Sequence, residues 1–141
     1  MKFSDFGFEP SLMEGIEAMG FETPTPIQQE AIPAILNGKD IIGSAQTGTG
    51  KTAAFLLPVI QKIISEERTS KTRAVIVVPT RELAQQIDQQ MEGFGYFTPV
   101  GSIAVYGGGD GALFAREKKA LMEGTEVVIC TPGRMIAHLN N

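Results

Sequence analysis

The chain reads as an open α/β fold, a parallel sheet with helices on both faces, and three observations predict it. From Asp40 onward, apolar runs of strand length alternate with segments whose apolar residues recur at helical spacing. Runs such as Ala74-Val75-Ile76-Val77-Val78 are apolar throughout rather than alternating, so both of their faces should be covered. The glycine-rich stretch from Ala45 to Thr52 falls between the first such run and a helical segment. Sheets of this kind bind their ligands there, outside the carboxyl ends of the strands.

Two helices are expected ahead of the sheet. Leu12, Ile16 and Met19 keep helical spacing after Pro10-Ser11, and Gly20 closes the segment. Ile27, Ala31, Ala34 and Ile35 form a second face, opened by Pro26 at the first helical position and stopped by Asn37-Gly38. Residues 1–38 therefore form an N-terminal part and 39–141 the α/β part. In the latter the pattern predicts strands over 41–45, 74–78, 102–105 and 127–130. The helices between and after them run over 51–65, 81–94, 112–122 and 133–139. Pro58 lies within one of them and should bend or divide it, because proline removes a backbone donor. The polar stretch 65–71 reads as a solvated loop.

The residues Ala45-Gln46-Thr47-Gly48-Thr49-Gly50-Lys51-Thr52 have the chemistry of a loop that cradles phosphates. Gly48 and Gly50 carry no Cβ, so backbone N–H groups can converge on phosphate oxygens, and the following helix N-terminus adds partial positive charge. Lys51 would set an ammonium near the outer phosphates, and the Thr52 hydroxyl suits a Mg2+ ion that keeps most of its waters. A nucleoside triphosphate is the implied ligand. The general pattern opens on glycine, and this chain has Ala45 there.

With 141 residues, 43% of them hydrophobic and 20% charged, the chain has the size and composition of one globular domain. No apolar run reaches membrane-spanning length, and the first residues show no signal-peptide core, so no membrane partner is expected. A lone cysteine, Cys130, fits a reducing cytoplasm. The formal net charge of −4 argues against gripping nucleic acid by bulk positive charge. It leaves open a partner held by backbone amides and a few local arginines.

Gln28 follows the proline-restricted segment Gly20 to Ile27 and carries a donor and an acceptor matching the N6 and N7 edge of adenine. On its own it reads more simply as a surface glutamine on the first turn of a helix, since glutamine is mostly exposed. Taken with Ala45 to Thr52, however, the segment resembles the Q motif and motif I of the DEAD-box RNA helicases. Three further blocks resemble that family in its own order: Pro79-Thr80-Arg81-Glu82-Leu83 its motif Ia, Gly107-Gly108 its GG motif, and Thr131-Pro132-Gly133-Arg134 its motif Ib. The resemblance covers nearly the whole chain.

It implies a three-layer RecA-like P-loop fold, ATP and Mg2+ as cofactors, and RNA as partner. Gln28 would read adenine, Thr23 would lie in the same motif, and Phe3 would stack on the base, although Phe3 reads equally as a core residue and Phe6 competes for the role. Residues 45–52 would hold the phosphates, with Lys51 and Thr52 assisting catalysis and Thr52 ligating the metal. Pro79, Thr80, Arg81, Gly107, Gly108, Thr131, Pro132, Gly133 and Arg134 would hold single-stranded or locally duplex RNA by its backbone, and binding of that kind tolerates any sequence. The bland reading of these blocks is helix caps and tight turns. For Arg134 there is a reason to look further, since an arginine at a helix start opposes the dipole unless an anion is near. His138 has no cysteine or carboxylate cluster around it in sequence, and Cys130 reads as a small buried hydrophobe.

The family's acidic Asp-Glu-Ala-Asp motif does not occur in the 141 residues, so the resemblance implies a fragment ending before it. Hydrolysis by the fragment should stay near background, because an arginine finger alone is worth about 10³ to 10⁵ in rate. Exposed strand edges should favour self-association. After the GG block, Gly109-Asp110-Gly111 and Phe114-Ala115-Arg116-Glu117 replace the short loop and the glutamine that many members carry before Leu121. Two rival readings are a DNA-directed helicase or translocase of the same superfamily and a non-catalytic nucleotide-binding module.

Overall fold

The computed structural model describes residues 1–46, 48, 50–67, 69–109 and 111–141. Thr47 and Thr49 of the glycine-rich loop thus lie outside the described residues. The chain divides into two compact units, one of residues 1–67 and 90–99, the other of 68–89 and 100–141. The helix after the glycine-rich loop belongs with the N-terminal helices in the first unit.

The first unit is helical. A 3-10 turn over Phe3–Phe6 leads into α1 (Pro10–Ala18), followed by α2 (Pro26–Leu36) and α3 (Lys51–Ser65). Prolines open both α1 and α2, at positions where their missing N–H costs nothing. The apolar stripes read from the sequence meet in one core: Leu12 and Ile16 of α1, Ile32 of α2, and Leu56, Leu57 and Ile60 of α3 are all fully buried. Phe94 joins them, its ring edge-to-face with Phe21 at 5.1 Å. Gly15 is required where α1 passes Phe94, because a Cβ there would run into the Phe94 backbone carbonyl. Pro58 is buried inside α3, which nevertheless continues through it to Ser65 without being divided.

The second unit holds a parallel sheet of three strands, β1 (Ala74–Val77), β2 (Ser102–Val105) and β3 (Val127–Cys130), in the order β1-β3-β2. Helices α4 (Arg81–Gly95), α5 (Gly111–Glu123) and α6 (Pro132–Leu139) follow the strands in turn. The last part of α4 belongs to the first unit. Central β3 is buried along its whole length. On one face Val105, Val128 and Cys130 form a core with Ile103, Leu121 of α5 and Met135 of α6.

Two expectations are corrected. Residues 41–45 form no strand: Ile41 and Ile42 are exposed, and the segment has no ladder partner among the described residues. An apolar run becomes a strand only when a neighbouring strand takes up its N–H and C=O groups, and all of the described pairing is among β1, β2 and β3. Nor are both faces of β1 covered. The register places Val75 opposite Val128 and Val77 opposite Cys130, so these valines share the face that α5 and α6 cover over β2 and β3. At β1 that cover stops, and Val75 and Val77 are exposed.

Candidate functional site

In the first unit the loop before α3 is shaped by backbone. Gly48 and Gly50 have φ of 86° and 81°, the left-handed region that a side chain disfavours. Gly50 is the N-cap of α3 and offers no side-chain cap, so the first-turn amides of that helix have no protein acceptor of the usual kind. Lys51 is exposed at the first helical position and Thr52 half-buried at the second. Ala45 and Gln46 precede them in coil.

Gln28 is 1% exposed and bridges two segments. Its Oε1 accepts the Thr25 N–H at 2.9 Å, as the third residue of a helix does in a capping box. Its Nε2 donates to the Gly50 carbonyl at 3.1 Å, an oxygen that also accepts the Ala54 N–H at 3.1 Å. A Cβ on residue 50 would collide with this same amide nitrogen. The glutamine to which the resemblance gives adenine is therefore in contact with the last residue of the glycine-rich loop. Thr25 Oγ1 is buried beside it without a partner among the described residues. Thr23 is exposed, and Gln29 Nε2 holds the neighbouring Pro24 carbonyl at 3.0 Å.

Phe3 is buried, with Phe6 and Phe21 edge-on to its ring at 6.1 and 6.2 Å. Its visible role is to pack the 3-10 turn against the segment leading to Gln28. A separate cavity of about 310 Å³ lies among Ile27, Ala31, Ile41, Ala54 and Phe55, with Lys51 at its wall.

In the second unit the three remaining blocks follow the carboxyl ends of β1, β2 and β3. Since those strands are parallel neighbours, all three blocks lie along one edge of the sheet. Pro79 and Thr80 are exposed ahead of α4, and Thr80 Oγ1 accepts the Leu83 N–H at 3.2 Å, an N-cap bond. Arg81 Nη1 donates to the Gly107 carbonyl at 3.2 Å, which joins the first block to the glycine block. Gln85 adds a bond to the Tyr106 hydroxyl at 3.2 Å. Gly108 has φ of 100°, and a Cβ there would crowd Arg81 Nη1. Thr131 is the buried N-cap residue of α6, its N–H spent on the Val105 carbonyl at 3.1 Å. Pro132 and Gly133 are exposed, and nothing would obstruct a Cβ at Gly133. First-turn amides at both helix starts can accept an anion.

Arg134 is engaged within the protein. Its Nε donates to Glu117 Oε1 at 2.7 Å, and its side chain is only 16% exposed. His138 Nε2 donates to the same oxygen at 2.8 Å, so this histidine has a single carboxylate partner rather than a cluster. Phe114 stacks on the His138 ring at 4.0 Å, and the guanidinium lies 4.9 Å from the Phe114 centroid. Two helices bring these four residues together. Phe114 and Glu117 are three apart on α5, and Arg134 and His138 four apart on α6, so each pair shares a helix face. That spacing was the available signal in the sequence. It is weak without knowledge that α5 and α6 cover the same face of the sheet.

Among the described residues no helix is long and apolar enough to cross a membrane, and no cluster of three His, Cys, Asp or Glu could hold a metal ion.

Residues 25–141 match the family model for the DEAD/DEAH box helicases. The chain is 45% identical over 139 residues to the ATP-dependent RNA helicase CshA of Listeria monocytogenes, a match that spans 99% of this chain and 26% of CshA. It is 49% identical over 139 residues to the ATP-dependent rRNA helicase rrp3 of Schizosaccharomyces pombe, spanning 99% of this chain and 29% of that protein. The chain thus corresponds to between a quarter and a third of the length of these relatives.

Proposed function

The chain belongs to the DEAD/DEAH box helicase family, and from that premise we propose that it is the ATP-binding and RNA-backbone-binding part of an RNA helicase that remodels short duplexes. The observation that carries this reading is the Gln28–Gly50 hydrogen bond, which sets an adenine-matching amide against the phosphate loop.

The loop fits a phosphate chain. Gly48 and Gly50 hold a left-handed backbone that side chains disfavour, the α3 N-terminus has no side-chain cap, and Lys51 supplies a charge. Lys51 would neutralise the outer phosphates, and Thr52 would give Mg2+ its protein oxygen. When bound, the metal supplies charge neutralisation between phosphates. Gln28 would select adenine by exchanging its bond to Gly50 for the base edge, which would tie base recognition to loop shape. Phe3 would support this segment by packing. Stacking on the base would require its ring to turn out of the Phe6–Phe21 cluster.

Along the sheet edge, the first-turn amides of α4 and α6 and the bare backbone at Gly107-Gly108 would hold RNA phosphates. Arg81 would brace the glycine block through Gly107. The 141 residues contain no Asp-Glu-Ala-Asp sequence, so by themselves they should hydrolyse ATP only at background rate. The uncovered valines of β1, an edge strand, favour self-association of this chain, which sedimentation would detect. A single buried cysteine suits a cytoplasmic location.

Titration with adenosine and guanosine triphosphates tests the core of the reading. Adenosine should bind more tightly, Lys51→Ala should abolish binding of both, and Gln28→Ala should remove the preference. Equal binding of both nucleotides by the unaltered chain would overturn it. A Mg2+-dependent turnover that Lys51→Ala abolishes would refute the expected inactivity.

A further inference from the structure

Glu117 is 3% exposed and gives one oxygen to two basic side chains, Arg134 Nε at 2.7 Å and His138 Nε2 at 2.8 Å. A buried carboxylate in such a setting is stable only while its partners remain, and partners this short are fixed in orientation. Through Arg134 in its first turn and His138 in its last, α6 is pinned at both ends to one atom on α5. Phe114 completes the cluster by stacking on His138 and lying beneath the guanidinium. Glu117 is also the anion that an arginine at a helix start requires.

Arg134 lies in the first turn of α6 bonded to Glu117, and a phosphate bound at the α6 N-terminus would feel the same positive charge. Its Nη2 is buried without a hydrogen-bond partner among the described residues, so the guanidinium, bonded to Glu117 through Nε and lying over Phe114, acts on a phosphate outside by its charge rather than by contact through that atom. We propose that Glu117 is a positioning residue that lowers the RNA affinity of this edge by sharing the charge of Arg134 with the phosphate backbone. The inference rests on the RNA reading given above. Glu117 itself touches no RNA: it keeps the guanidinium oriented and half-neutralised, so that binding at α6 stays weak enough to reverse.

Glu117→Gln separates the charge from the geometry, since the amide oxygen can still accept from Arg134 and His138. Binding of a single-stranded oligouridine would be measured against salt for the unaltered chain, Glu117→Gln and the double variant Glu117→Gln/Arg134→Ala. The double variant leaves no unpaired buried carboxylate, so its folding is not at risk from that source. Glu117→Gln should bind about three- to ten-fold tighter, with a salt slope steeper by about 0.7, the value for one more single-strand phosphate neutralised. Both gains should vanish in the double variant. Glu123→Gln, an exposed carboxylate on the same helix, should change neither. An unchanged slope in Glu117→Gln, or a gain that survives loss of Arg134, would overturn the inference while leaving the RNA reading intact. Absence of RNA binding by every variant would overturn both.

Discussion

The Gln28 side chain donates its amide proton to the carbonyl of Gly50, at 3.1 Å and across 22 residues of sequence. A segment that precedes the loop therefore holds the loop's last carbonyl, and residue 50 can carry no side chain for two separate reasons. Its φ of 81° disfavours any Cβ, and the Cβ would meet Gln28 Nε2. Gly50→Ala should thus lose about 1–2 kcal/mol from the left-handed backbone alone, with the collision added. In a Gln28→Ala background the collision is gone, so the cost of Gly50→Ala should shrink to the backbone part. Urea denaturation of the four proteins in this cycle measures the coupling. Additive costs would show that the two residues do not meet.

Removing Gln28 itself leaves the Thr25 N–H and one lone pair of the Gly50 carbonyl without their partner. Both lie in a half-buried setting, so Gln28→Ala should cost about 1–3 kcal/mol of stability. Gln28→Glu keeps an acceptor for Thr25 but loses the donor to Gly50 and brings a second acceptor against that carbonyl. It should therefore bind ATP more weakly than Gln28→Ala does, even though it is closer to glutamine in shape. Calorimetric titration of both variants gives the order, and the reverse order would remove the Gly50 contact from the account.

The sequence made the repeating elements legible because each carried its own period and its own stops. Segment 51–65 is α3, 102–105 is β2 and 127–130 is β3, and the alternating pattern led to the parallel sheet. What local pattern could not supply was the presence of neighbours. Residues 41–45 have the composition of a buried strand, yet a ladder is a property of two segments, and no second one pairs there among the described residues. The same applies to Val75 and Val77, whose apolar character predicted a cover that α5 and α6 provide only over β2 and β3. At the sites, the blocks following each strand are brought to one sheet edge, as strand parallelism requires. The pairing of Arg134 with Glu117 was hidden, because it depends on how two helices share a sheet face rather than on either segment alone.

Gly15 offers a test of packing remote from the candidate sites. Alanine is the better helix former by about 1 kcal/mol, so propensity alone would make Gly15→Ala stabilising. Against that, the new methyl would be driven into the Phe94 carbonyl, and backbone cannot move aside as a flexible side chain can. Forced overpacking of this kind costs about 1–3 kcal/mol, so the collision should win and the melting temperature should fall. A higher melting temperature would mean that α1 and the Phe94 backbone are not in this contact.

Cys130 ends central β3, fully buried against Val105 and Val128, and burial pushes its thiol pKa above the ordinary value by disfavouring the thiolate. The folded protein therefore holds this proton more tightly than the unfolded chain does. The resulting stability is fully present below the ordinary thiol pKa and is lost as pH rises through it toward the folded value. Other groups titrate in the same alkaline range, so the comparison that isolates the thiol is with Cys130→Ala. That variant should be less stable at neutral pH, because a buried side chain has been cut back. Its denaturation midpoint should then fall less steeply than that of the unaltered chain as pH rises into the alkaline range. Alkylation gives an independent reading: at mildly alkaline pH iodoacetamide should modify Cys130 quickly in urea and slowly in the native state. Equal rates in the two conditions would place the thiol outside the sheet core.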